Sequence, residues 1–358
     1  MNNLIDLYTD YLLSSFGQTT ATGLSRLIDN HISHDKITRL LSTQDFDSKD
    51  LWKMIKRDIR KIESENGLLI FDDTIEEKPH TQENDVICWH YDHSKGKSIK
   101  GVNIVTCLYN SSGLSLPISF EVITKPISYD IETQKSVRNK SDVTKNDILC
   151  NMLNVAVKNQ VKFSCVLADI WYSSSKNMKY IVKTIKKDFV MPVKNNRLVA
   201  LSKKDKNSNN FVNIKSLKWQ DKPVKVWMKG VPFELLIHKQ VFRNKDNSIG
   251  FIYLATNNLD YTKEDMETLY KKRWSIEVFH KTLKQNTSLA KSPTKVARTQ
   301  KNHIFMSILA SVKLELLSFR DKRNHFSLKM KLYTKAIKSA FKELKRIKKK
   351  YGVEELPA

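Results

Sequence analysis

The spacing of apolar positions along the chain predicts helices at both ends and strands between them. Residues 1 to about 62 carry helical spacing. Leu24, Leu27 and Ile28 form one apolar stripe, the polar break His31-Ile32-Ser33-His34 follows, and Ile37, Leu40 and Leu41 form a second. Ser33 is placed to cap the second helix. Two short helices about a tight turn suit a helix-turn-helix, a pattern that any small helical bundle also gives. Asp50 to Lys61 reads as a third, basic amphipathic helix.

The texture then shifts to short apolar runs. Gly67 to Phe71, Gly101 to Leu108 and Leu116 to Ile123 read as strands, with Ser111-Ser112-Gly113 as the turn of a hairpin. Residues 126 to 145 are polar and predict a loop. A helix at Asp147 to Gln160, a strand at Phe163 to Ala168, a helix at Ser175 to Lys187 and a strand at Phe189 to Val193 follow. Three antiparallel strands, then helix, strand, helix and strand, is the order of a ribonuclease-H-like mixed α/β sheet. From 194 to 256 the runs Pro223 to Met228, Pro232 to Ile237 and Gly250 to Ala255 predict an all-β insertion. Helix returns at Thr262 and continues to the end.

Charge narrows the partners. Lys and Arg number 62 against 38 Asp and Glu, a formal net charge of +24 over 358 residues. Such an excess points to a polyanion, because each cation set against a phosphate releases a condensed counterion. The four cysteines, Cys88, Cys107, Cys150 and Cys165, lack the C-x-x-C spacing of a zinc site. There is no Gly-rich phosphate loop for nucleotide hydrolysis. The N-terminus has no secretory pattern, and no apolar run nears the roughly eighteen residues of a membrane span, so a cytoplasmic protein without a membrane partner is expected. The basic run Lys345 to Lys350 reads as a solvated helix face.

Three acidic positions could bind metal. Asp72 is expected to end the first strand, Asp169 ends the strand before Ile170, and Glu277 lies on a late helix. Hard divalent ions take oxygen ligands, and a pair of them can serve phosphodiester transfer. An Asp at a strand end is also a common turn or cap residue. Around Glu277 the stretch Tyr270 to Lys284, read as one helix, aligns Tyr270, Glu277 and Lys284 at seven-residue steps with Arg273 beside them. A carboxylate flanked by a phenol, a guanidinium and an ammonium suits a phosphate. Ile276, Phe279 and Leu283 supply the opposing core face.

The pattern Tyr270-x-x-Arg273-x-x-x-Glu277-x-x-x-x-x-x-Lys284 resembles the Y-R-E-K signature of bacterial insertion-sequence DDE transposases. Asp72-Asp73-Thr74 and Ala168-Asp169-Ile-Trp-Tyr172 resemble their two Asp motifs, and Trp89 to His93 with Lys100 to Asn103 resembles their early segment. The resemblance spans roughly residues 20 to 320. It implies Asp72, Asp169 and Glu277 as a catalytic triad for two Mg²⁺ ions, with Mn²⁺ as a substitute. Tyr270, Arg273 and Lys284 would contact DNA. Asp73 is the alternative first ligand, since strand alternation turns the two neighbours to opposite faces. Trp219 and Trp227 are either stacking residues for a flipped base or buried aromatics.

The implied organisation is a helical DNA-binding region at 1–62 and a ribonuclease-H-like domain at 63–193 and 257–320. A β-rich insertion at 194–256 interrupts it, and a basic helical C-terminus at 321–358 completes the chain. The implied activity is metal-dependent cleavage at inverted-repeat ends of double-stranded DNA and strand transfer into target DNA by a homodimer, in the bacterial cytoplasm at the nucleoid. A nuclease that cuts without joining and an inactive DNA-binding descendant are the alternatives.

Overall fold

The computed structural model describes residues 2–92, 95–130, 135–138, 140–244 and 246–352. His93, and residues 131–134 and 139 of the polar stretch, lie outside them. The chain divides into two units, Met1–Asp45 with Lys281–Ala358, and Phe46–His280.

The first unit is helical. It holds α1 (Asn2–Ser14), α2 (Ala21–Leu27) and α3 (His34–Thr43) with the late helices described below. Ser33 caps α3, its side chain accepting from the Lys36 backbone N–H, and Ile37, Leu40 and Leu41 are the buried positions, as the stripe predicts.

The second unit opens with α4 (Ser48–Ile62), started by a capping box between Asp47 and Asp50. Its buried Leu51, Trp52, Ile55 and Ile59 recur at helical spacing and give it one apolar face. The strands β1 (Leu68–Glu77), β2 (Cys88–Asp92), β3 (Lys97–Ser111) and β4 (Leu114–Val122) follow, and α4 packs on β4. Ser112 and Gly113 take φ of 53° and 80° in the β3–β4 turn, the left-handed geometry that Gly accepts without strain. Where the sequence predicts only a loop, β5 (Ile127–Asp130) and β6 (Lys135–Arg138) pair as a small separate hairpin. Polar composition concealed it, because apolar residues are sparse in this stretch.

Next come α5 (Lys145–Lys158), β7 (Cys165–Ala168), α6 (Ser175–Lys179) with a π-helical turn over Tyr180–Ile185, and β8 (Asp188–Val193). Antiparallel β3 lies on one side of β1 and parallel β7 on the other, with β8 parallel beyond β7. This is the ribonuclease-H-like mixed sheet, with helices at both ends of the chain. The later strands β9 (Leu198–Ala200), β10 (Val212–Asn213), β11 (Val224–Met228), β12 (Leu235–Arg243) and β13 (Ile249–Thr256) do not form a sheet of their own. With β13 antiparallel to β8, they continue the same sheet in the order β10-β9-β11-β12-β13-β8. One short helix, α7 (Lys203–Asn207), interrupts them.

The closing helices are α8 (Lys263–Lys271), α9 (Trp274–Asn286), α10 (Ala297–Asp321) and α11 (His325–Lys350). Among the described residues no helix is long and apolar enough to cross a membrane. The central strand has the most to lose from a cavity. Leu68, Leu69, Ile70 and Phe71 are all at most 2% exposed. Replacing Leu69 by Ala should lower the unfolding free energy by about 2–5 kcal/mol, read as a shift of the urea midpoint. A loss within error would show that β1 is not the packed centre of the sheet.

Candidate metal centre

Two acidic residues are brought together by strand register. Phe71 of β1 stands opposite Ala168 of parallel β7, where that pairing ends. The next residue on each chain is an aspartate, Asp72 and Asp169, at the carboxyl end of the shared stretch, where open α/β sheets gather their ligands. The first strand itself does not stop there, contrary to the sequence reading. It runs on to Glu77 because β3 continues to pair with it, Asp72 facing Thr106. Asp169 begins a 3₁₀ turn over Ile170–Tyr172 but makes no side-chain cap bond, so its carboxylate is not spent on the turn.

The pleat separates the two neighbouring aspartates. Asp72 lies among the other acidic groups and accepts the Asp73 backbone N–H at 2.9 Å. Asp73 is engaged elsewhere: Lys145 Nζ donates to Oδ2 at 2.5 Å and Tyr172 Oη to Oδ1 at 3.0 Å. Alternation in a strand would turn the pair this way whatever surrounded it. What assigns Asp73 its role is the ammonium and phenol waiting on its side.

The third acidic residue arrives by helix, with one correction to the sequence reading. Tyr270 and Glu277 do not share a helix. The chain turns at Lys272 and Arg273, where bonds such as Ile276 N–H to Arg273 O span three residues rather than four, so α8 ends and α9 begins. Tyr270 closes α8, packed against Leu236, Leu254 and Met266. His238 of β12 bonds Glu267 of α8 at 2.8 Å and ties that helix to the sheet. Arg273 sits in the break, its guanidinium carbon 5.5 Å from the Tyr270 ring centroid. Its Nη1 lies 3.1 Å from Glu277 Oε1 and 3.5 Å from Asp72 Oδ2. The break, not a seven-residue step, puts the guanidinium between the two carboxylates.

Of the residues singled out in the sequence, Asp72, Asp169, Glu277, Tyr270 and Arg273 gather at this point. Lys284 lies two turns beyond Glu277 on α9. The sequence reading missed His280. Its ring nitrogen and carboxylate oxygens of Asp72 and Glu277 all lie within 4.8 Å of one another. The signal was its place one helical turn after Glu277 on the same face. Trp227 and Trp219 belong to the extended sheet region, Trp219 stacked at 5.2 Å against Tyr253 and Trp227 beneath Lys206.

The profile of a family described as DDE superfamily endonuclease matches residues 2–209, more than half of the chain, and ends before Glu277. No curated protein matches. Among solved structures, the Drosophila P element transposase strand transfer complex matches with 13% identity and a TM-score of 0.24, over 51% of this chain and 35% of that one. The chain thus spans about a third of that relative's length, and the superposition is too loose to transfer any feature.

The site's charge is out of balance. Burial, then Asp73, with further contributions from Asp169 and Glu277, pushes the Asp72 carboxyl up to about 7 against the Asp73 N–H that opposes it. Burial first, with Asp169 and Asp72 adding, raises the Tyr270 phenol to about 12 although Arg273 draws it down. One guanidinium does not offset three carboxylates. The donor set suits a divalent cation: the carboxylates are the hard oxygen ligands of Mg²⁺, and an imidazole is also acceptable to Mn²⁺. A raised Asp72 means that the folded protein holds a proton which the unfolded chain, at its ordinary 3.8, releases. In chelator, stability should therefore be greatest below about pH 4 as far as Asp72 contributes, fall as pH rises, and lose that contribution above about pH 7. Thermal melting of the native chain and Asp72→Asn should show the slope only in the former, and added Mg²⁺ should raise the native melting point more at pH 8 than at pH 5. Equal slopes in both proteins would remove Asp72 from the charged centre.

Proposed function

Because the chain belongs to the DDE superfamily endonucleases, we propose that it is a transposase that cuts double-stranded DNA at inverted-repeat ends and joins those ends to target DNA. The observation that carries this reading is the meeting of Asp72, Glu277 and the Arg273 guanidinium beside Asp169. Together they offer hard ligands and a cation at the end of a rigid sheet. The net charge of +24 suits the polyanionic substrate.

In this reading Asp72, Asp169 and Glu277 hold the divalent ions, two Mg²⁺ with Mn²⁺ as substitute, and His280 adds a nitrogen donor. When bound, such ions lower the pKa of an attacking water or hydroxyl and stabilise charge on the leaving oxygen. Arg273 neutralises the carboxylates and stands ready to donate to a phosphate oxygen. Tyr270 keeps its proton at neutral pH, since its phenol is raised to about 12, and so has an O–H to donate to a phosphate oxygen. Lys284 extends the phosphate contacts along α9. In cleavage, water oxygen bonds to phosphorus and the DNA 3′ oxygen leaves with a proton. In joining, that 3′ hydroxyl attacks a target phosphorus and displaces the target's own 3′ oxygen. Two ends must be held together, which calls for a homodimer on DNA, acting in the cytoplasm at the nucleoid.

The test uses DNA carrying the element's terminal repeats with Mg²⁺, Mn²⁺ or chelator. The native chain should nick at the repeat boundary only with metal, and Glu277→Gln should reduce the rate by more than about 100-fold, beyond the usual effect of a residue that merely supports a ligand. Equal cleavage by both proteins would place the site elsewhere. Cleavage without joining of pre-cut ends would leave a nuclease. Metal-independent binding with no cleavage would leave a DNA-binding descendant.

A further inference from the structure

Helix α11 carries an apolar face that stays largely exposed. It buries no residue along His325–Lys350. On one side its first turns look toward a groove of about 540 Å³, where Leu328 and Leu332 meet Leu13, Leu314 and Leu317. At roughly 100° per residue, Met330 points nearly opposite Leu332. From Met330 the apolar positions follow three-four spacing. Met330, Ile337 and Leu344 fall at heptad position a, and Tyr333, Ala340 and Ile347 at d. These are exposed: Met330 by 60%, Leu344 by 55% and Ile347 by 43%. Tyr333 alone has a ring partner on the seam, Phe16 at 4.9 Å. Three heptads at a 3.5-residue period are the pattern of a coiled coil rather than of a helix lying on a globular core.

We propose that this seam pairs with the same seam of a second copy, as a parallel two-stranded coiled coil. Two observations select that occupant. The first is area. With on the order of 100 Å² exposed per large side chain, the five large seam residues and Phe341 at a flanking e position, 62% exposed, offer roughly 600 Å² per copy, against the ~800 Å² of a standard stable interface. The second is charge. Lys331, Lys335, Lys338, Lys342 and Lys345 fall at b and f, and Arg346 at c, all turned away from the seam. The central flanking positions are Thr334, Ala336, Phe341 and Glu343. A lipid headgroup surface would want lysines along both borders of the apolar face. A like helix wants a seam with little net repulsion. In a parallel pair, Glu343 at g meets Lys348 of the second copy at e. Glu343 also bonds Arg346 of its own helix at 2.7 Å, which leaves it on the seam border.

The seam gives a surface to the pairing proposed above, yet it rests on the helix alone and not on the chemistry of the metal centre. Light scattering on the full chain without DNA should show a dimer that dissociates on dilution. The double substitution Ile337→Glu with Leu344→Glu should yield a monomer with unchanged far-ultraviolet circular dichroism and unchanged metal-dependent nicking of a single end. Oxidative cross-linking sets the orientation. Leu344→Cys should form a covalent dimer, since a meets a only in a parallel pair, and Ser339→Cys at an outward position should not. The native cysteines are all buried and give little background. A native chain that stays monomeric at every concentration, a dimer that survives the double substitution, or equal cross-linking at both positions would overturn the proposal. So would binding to anionic vesicles by a chain that does not self-associate.

Discussion

Four residues of parallel pairing between β1 and β7 set the position of everything that follows. Leu68 to Phe71 run beside Cys165 to Ala168, all buried, and where the pairing ends each strand hands its next side chain to the same open edge. The burial of these eight apolar side chains is what makes the arrangement rigid, and rigidity is what makes it costly. Burial at this edge, with the neighbouring Asp73 next and Asp169 and Glu277 adding, is why Asp72 holds its proton toward neutrality. The sheet thus concentrates negative charge, to which Glu277 adds and which Arg273 partly offsets.

The break between α8 and α9 supplies the cation. A continuous helix from Tyr270 to Lys284 would direct Arg273 by the helical period alone. The turn instead lets its guanidinium lie between Asp72 and Glu277 while stacked on Tyr270, which is itself held down by the contacts of α8 with β12 and β13. The side chain therefore offsets part of the site's charge and ties the last acidic residue to the first.

Much of this was legible in the residues. The strand order, the N-cap at Ser33 and the β3–β4 turn follow from apolar runs bounded by the right polar residues, whereas the grouping of Asp72, Asp169 and Glu277 comes from the family resemblance. The misreadings share a cause, which is that local pattern carries no information about the partner. Nothing in the sequence of β1 says that β3 will keep pairing with it past Asp72. The hairpin β5–β6 is too short and too polar to stand out from the stretch around it. The break at Lys272 and Arg273 contains no Gly or Pro, so nothing local announces it. His280 was passed over because an imidazole on a lysine-rich helix is unremarkable until Asp72, some two hundred positions earlier, is known to lie opposite. Alternation says only that one of Asp72 and Asp73 can serve, and the place of Thr74 in the resembled motif selects Asp72; the structure adds Lys145 and Tyr172 on the Asp73 side.

The continuation of the sheet through β9–β13 has a mechanical meaning. Asp169 and Glu277 are separated by a long stretch of chain, yet the strands β8 to β13 within it all join the one sheet, and the return path through β13 runs directly against β8. The far edge, around α7 and β10, is therefore one end of a stiff plank whose interior strands, β1 and β7, bear the aspartates. Sequence added at that edge lengthens the plank without bending it. A lineage could graft new recognition surface there, or an engineer a fusion partner, and leave the spacing of the acidic residues untouched, whereas a single residue inserted in β13 would be felt at once.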